Sequence, residues 1–147
     1  MNMSDRADVY NGLLDGMMWA EGPVSVNGAP PDPEDLSFKD FFDKQGAANI
    51  PIDPSLELRL SNVAYAFVEA CVQEGLDPVE YNSAYLVGVD LWLTTHGHGT
   101  GFWAGDYGEI GDRLTEIADR MHFDFYGASI ETEDGDPVVL MDREETP

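Results

Sequence analysis

The sequence predicts an α+β protein, with about four packed helices and a small C-terminal antiparallel β-hairpin. Three observations predict it. Apolar residues recur at the 3.6-residue period of a buried helix face over residues 55–74 and again over 106–121. After His122 the pattern changes to apolar and aromatic runs, 123–130 and 138–141, on either side of the two-residue turn signal Asp134-Gly135. Between the first helix and the second, Pro23, Pro30, Pro31, Pro33, Pro51 and Pro54 stand among Gly, Asn and Asp, so 23–54 reads as a long loop. At 147 residues the chain reads as a single domain, long enough to bury a core.

The first helix is expected over 4–21. Ser4 is its cap, Asp5 and Asp8 suit its positive end, and Val9, Leu13, Met17 and Ala20 share a face. Gly12 and Gly16 weaken this helix, since each costs about 1 kcal/mol against Ala in a helix interior, unless another backbone packs closely there. Within the Pro-rich loop, 37–45 forms a short helix that buries Phe38, Phe41 and Phe42 and ends at Gly46. Those aromatics either pin the loop to the core or make a protein-docking patch.

The long helix over 55–74 presents Leu56, Leu60, Val63, Ala64, Phe67 and Cys71 on one side, with Gly75 as its C-cap. Cys71 is a structural thiol, and a single cysteine excludes an internal disulfide. Asp77-Pro78-Val79-Glu80 combines an N-cap, a Pro at the first helical position and a capping Glu, which starts a helix running to about Thr95. The alternative makes 91–94 a strand. The last helix starts at Asp106, whose spacing from Glu109 is that of a capping box. Its apolar face holds Tyr107, Ile110, Leu114, Ile117, Ala118 and Met121, and Glu109–Arg113 and Glu116–Arg120 are i,i+4 ion pairs. Pro137 places the hairpin at an edge, and 142–147 is a frayed charged tail.

The segment 96–103, HGHGTGFW, joins the third helix to the fourth. With Leu91-Trp92-Leu93-Thr94 before it, and Gly111 to Thr115, Ala118, Phe125-Tyr126 and Asp134-Gly135 after it, it resembles a family of small acidic proteins of tailed bacteriophages. That family's pattern is F-W-L-T-x-N-G-H-G-x-G-F-W-D, then G-x-x-L-T-x-x-A, then D-L-Y-x-x-D-D-G. The chain departs from it at Ala104, where Asp is usual, and at His96, where Asn is usual. The resemblance is specific over 90–135 and implies a phage source and an architecture, not an activity.

The candidate functional loop is therefore His96, Gly97, His98, Gly99, Gly101, Phe102 and Trp103. His96 and His98, with Asp106 and His122, could ligate a metal, since imidazole and carboxylate suit zinc, manganese or iron. Against this, H-x-H is a weak spacing and no cysteine pair supports it. The plainer reading gives Gly97, Gly99 and Gly101 positive φ for a tight crossing, with His98 bonded to the loop backbone. No P-loop, dinucleotide fingerprint, serine-nucleophile motif or EF-hand spacing is present, so no cofactor is expected.

Charge points elsewhere. The chain holds 29 Asp and Glu against 7 Lys and Arg, a net charge of −22, while 43% hydrophobic residues fit a folded core. Such a field repels phosphate backbones and anionic lipids and favours basic protein surfaces. Direct nucleic-acid binding and membrane association are not expected. The N-terminus lacks a signal peptide's basic and apolar regions, so the expected location is the cytoplasm of the infected bacterial host. The expected function is a non-enzymatic binding protein that mimics nucleic acid and blocks a host nucleic-acid-binding protein of restriction, CRISPR or transcription. Its acidic surface is assigned to Asp106, Glu109, Asp112, Glu116, Asp119, Glu131, Glu133, Asp134 and Asp136. The alternatives are an acidic phage accessory or structural protein without mimicry, and a metal enzyme using the His/Gly loop.

Overall fold

The computed structural model describes residues 1–20, 38–39, 43, 52–96, 101–104 and 106–121, and for the backbone alone 128–133 and 136–141. The chain divides into two compact units, one of residues 1–17 with 59–123 and one of residues 18–58 with 124–147.

A single 3-10 turn, Met3–Asp5, leads into helix α1, Arg6–Ala20. Asn2, not Ser4, is the cap. Its side chain accepts the Ser4 N–H at 2.9 Å, and the Asp5 carboxylate accepts the Asn2 N–H at 3.0 Å. This reciprocal arrangement satisfies two orphan donors at once, which Ser4 alone would not.

Helix α2, Pro54–Glu74, begins where Asp53 accepts from two N–H groups. The carbonyl of Asp53 takes Glu57 at 3.0 Å and its carboxylate takes Ser55 at 3.1 Å. Pro54 at the first position lacks only an N–H that would have had no helical partner. The helix stops at Gly75, which adopts φ 69°. Its N–H reaches Val72 O at 3.2 Å and that of Leu76 reaches Cys71 O at 3.0 Å, the paired bonds of a Schellman end. Leu56, Leu60, Ala64, Phe67 and Cys71 are buried as their spacing requires, and Val68 joins them while Val63 is only half-buried. Burial pushes the Cys71 thiol up to about 12, which keeps it protonated and inert.

The helix expected from Pro78 to Thr95 is broken in two. Pro78–Glu80 makes one 3-10 turn, and Asp77 does not cap it, because its carboxylate accepts from the Met1 ammonium instead. Ser83, extended at φ −62° and ψ 155°, then caps helix α3, Ala84–Thr95, by accepting the Leu86 N–H. Residues 91–94 are helical, so the strand alternative falls.

Helix α4, Gly111–Met121, also starts later than its pattern suggests. The Asp106/Glu109 capping box does not form. Gly108 adopts φ 53°, outside the right-handed helical region, so a 3-10 turn, Gly108–Ile110, precedes the helix. Tyr107, Leu114, Ile117 and Ala118 are buried, and Ile110 and Met121 half-buried. The two expected i,i+4 ion pairs are replaced. Arg113 and Arg120 both reach Glu74 at the end of α2, and Arg113 also holds Glu116 at 2.5 Å. Glu74, a carboxylate shared across two helices, takes both guanidiniums in place of the i,i+4 partners Glu109 and Glu116.

In the first unit α1 crosses α3 through glycine. A Cβ on Gly12 would stand 1.8 Å from the Tyr85 carbonyl oxygen, and one on Gly88 would stand 2.1 Å from the Val9 carbonyl oxygen. Gly16 similarly faces the Trp92 Cβ at 2.9 Å. Gly12 and Gly88 are thus explained by backbone packed on backbone, and Gly16 by the close Trp92 side chain. The Tyr85 hydroxyl donates to Asp15 at 2.6 Å beside this crossing. Burial, then that carboxylate, pushes the Tyr85 phenol up to about 12.

The α+β class does not hold. The first unit is helical throughout, with no strand among its described residues. The four helices bury their apolar faces in one another, so no sheet is needed to cover them. In the second unit the backbones of β1, Ala128–Glu133, and β2, Asp136–Met141, run antiparallel, with Ala128 opposite Met141. Two strands alone are marginal in water and do not make the packed sheet that α+β requires. The turn residues Asp134 and Gly135 and the tail 142–147 lie outside the described residues. Of the short helix expected at 37–45, only Phe38, Lys39 and Asp43 are described; all three are helical and Phe38 is buried. Among the described residues no helix is long and apolar enough to cross a membrane.

Candidate functional site

The segment after α3 is built around Thr94. This threonine is 9% exposed, and its hydroxyl accepts the Phe102 N–H at 3.1 Å, which folds the chain back onto the helix end. The return requires Gly101. A Cβ there would lie 2.3 Å from Thr94 Oγ1 and 2.7 Å from the Trp103 ring. Gly101 does not adopt the positive φ expected of it, so close approach and not handedness is its reason. Gly97, His98 and Gly99 lie outside the described residues.

Phe102, taken from sequence as a loop aromatic of the functional site, belongs to the core. It is fully buried, stacks on Phe67 at 5.4 Å between ring centroids, and meets Tyr107 edge-on at 5.1 Å. Trp103 remains at the surface, 45% exposed. Alternation explains the difference: in the 3-10 turn Phe102–Ala104 successive side chains leave in different directions, and only one can face inward.

His96 ends α3, its ring stacked on Trp92 at 3.7 Å and 13°. Its Nδ1 lies 3.1 Å from the Trp92 carbonyl oxygen and 2.8 Å from Thr95 Oγ1. A carbonyl can only accept, so the Trp92 contact is a hydrogen bond in the tautomer that carries the proton on Nδ1. Thr95 Oγ1 itself donates back to the Leu91 carbonyl at 2.8 Å. His96 thus closes a helix end. Among the described residues no group of three or more His, Cys, Asp or Glu could hold a metal ion, and His98 and His122 lie outside them.

The centre of the segment is a residue whose role the sequence did not signal. Tyr107 is fully buried, and its hydroxyl donates to Asp90 of α3 at 2.5 Å. Burial pushes the phenol upward, and Asp90 adds to the shift. Burial also raises Asp90 itself, with the Asp106 charge acting in the same direction and the Tyr107 bond opposing both. An aspartate raised on folding stabilises the protein most below its unfolded pKa, and that stabilisation is lost as pH rises through its folded pKa. Asp90→Asn keeps an acceptor for Tyr107 without the charge. In urea melts from pH 4 to 7, its stability relative to the parent should therefore increase with pH; parallel curves would show that Asp90 is not the titrating group.

The acidic residues assigned to the partner-binding surface over 106–119, Asp106, Glu109, Asp112, Glu116 and Asp119, are all exposed. Asp112, Glu116 and Asp119, at helical spacing within α4, share one stripe, while Asp106 and Glu109 lie in the turns before it. Arg113 and Arg120 are held by Glu74, which depresses the Glu74 carboxyl through the Arg113 bond first and the Arg120 bond second. The side chains of Glu131, Glu133 and Asp136, and all of Asp134, lie outside the described residues. No protein-family model, curated protein or solved structure matches the chain.

Proposed function

We propose that this chain is a small, phage-encoded, non-enzymatic acidic protein that acts in the cytoplasm of the infected bacterial host. It docks on the basic surface of a host nucleic-acid-binding protein, of the kind used in restriction, CRISPR defence or transcription, by presenting carboxylates in place of phosphates. The observation that carries this reading is the α4 stripe. Asp112, Glu116 and Asp119 rise along one helix at about 1.5 Å per residue and so follow one another at about 6 and 4.5 Å along the axis; Glu116 is paired with Arg113, and the exposed Asp112 and Asp119 flank that pair. That is a line of net negative charge on a rigid element, sparser than the one phosphate per about 3.4 Å of a DNA strand. A net charge of −22 steers such an array towards a basic partner and makes association fall with salt.

The test is capture of host proteins on the tagged full chain at low salt, eluted by a salt gradient. A nucleic-acid-binding protein should leave at a defined salt step. Reversal of Asp112 and Asp119 to Lys should lower its affinity about tenfold or more, equivalent to about 1.4 kcal/mol. A partner whose binding ignores both salt and these reversals would overturn mimicry, and an empty column would favour an acidic accessory protein.

A further inference from the structure

Beside the acidic stripe, Tyr81 lies over the one described glycine of the segment that adopts positive φ. A Cβ on Gly108 would stand 3.1 Å from Tyr81 Cε1 and 3.4 Å from its hydroxyl. One flank of the Tyr81 ring rests near the buried Tyr107, at 6.3 Å between centroids and 53°, yet the residue is 44% exposed. A large aromatic ring thus stands open to water on a support of fixed geometry. Its chain neighbour Glu80 is exposed, and so are Asp106 and Glu109, which bracket Gly108. Arg113, the described cation nearest to this place in sequence, is turned away to Glu74 and Glu116. An exposed aromatic ring, with exposed carboxylates on its chain neighbour and on either side of the glycine it covers, is complementary to one kind of side chain, a planar cation with several donors. The chain already makes that pairing internally, where the Arg6 guanidinium lies 5.1 Å over the Tyr65 ring.

We infer that Tyr81, Asp106 and Glu109 form the seat for an arginine of the basic partner, its guanidinium lying on the Tyr81 ring and donating to the two carboxylates. This rests on the acidic face being a partner-binding surface and adds where its specificity resides. Lysine, a compact and strongly hydrated point charge, fits the carboxylates but gains little from the ring.

The experiment titrates the full chain at low salt with oligoarginine and oligolysine peptides of equal length. The arginine peptide should bind about fivefold or more tightly. Tyr81→Leu should abolish that preference while leaving oligolysine affinity within about twofold, and Tyr81→Phe should retain it. Should Tyr81→Leu fail to fold, Asp106→Asn with Glu109→Gln, both surface changes, should likewise remove the preference. Equal affinity for the two peptides, or a preference that survives these changes, overturns the arginine seat and leaves the acidic face standing. Failure to bind either peptide overturns both.

Discussion

Gly12→Ala should destabilise the protein by about 2 kcal/mol or more, although alanine is the better helix former. Alanine gains about 1 kcal/mol of helix propensity. Against it stands an overpacking cost of about 3 kcal/mol, because the new methyl would meet the Tyr85 carbonyl, a backbone group that cannot rotate away. Gly88→Ala should behave in the same way, since its methyl would meet the Val9 carbonyl from the opposite helix. For a chain of this length each kcal/mol lowers the melting temperature by about 2 to 4 °C. Gly16→Ala should cost less, because the atom in its path is a side-chain Cβ at 2.9 Å. Thermal melts of the three variants check the order. A Gly12→Ala protein more stable than its parent would mean that α1 and α3 are further apart than described.

The second large effect separates the two neighbouring aromatics of the candidate loop. Phe102→Ala should cost about 3 to 5 kcal/mol, the range for emptying a buried aromatic site. It removes the ring stacked on Phe67 and the edge contact with Tyr107, both fully buried. Trp103→Ala should change stability by no more than about 0.5 kcal/mol, as expected of a surface side chain. Urea denaturation of the pair decides the matter. Equal losses would mean that Trp103 is also a packing residue, and an unaffected Phe102→Ala would remove the foundation of the 101–110 segment.

Much of the local structure was legible because its signals are local. Gly75 reads as a helix end from its position after an apolar period, and it adopts the positive φ of one. The faces of α2 and α4 follow from spacing alone, since a helix with one apolar stripe must bury that stripe. Gly12 and Gly16 read as weak points of the first helix unless another backbone lay close, and α3 supplies that close approach. Asp106 with Glu109 misled for a related reason: the same side chains that cap a helix suit a surface turn, and Gly108 between them broke the helical run.

The candidate site was less legible than the helices that carry it. Phe102 and Trp103 are adjacent aromatics in one motif, and nothing local distinguishes the buried one from the exposed one. Their fates were decided by Thr94, which draws the Phe102 backbone onto α3, and by Phe67 on α2, which offers that ring a partner. Arg113 and Arg120 find Glu74, 39 and 46 residues away, in preference to the helical neighbours that spacing suggested.

By itself the sequence determined the helical periods, the helix stop at Gly75 and the strongly acidic surface, because each depends on residue type within a turn or two, or on composition alone. Only the tertiary structure decided that helices cover one another without a sheet, that Gly12 meets Gly88, and that Tyr107 reaches Asp90. Those outcomes depend on which surfaces meet across long separations in the chain, and no single stretch carries that information.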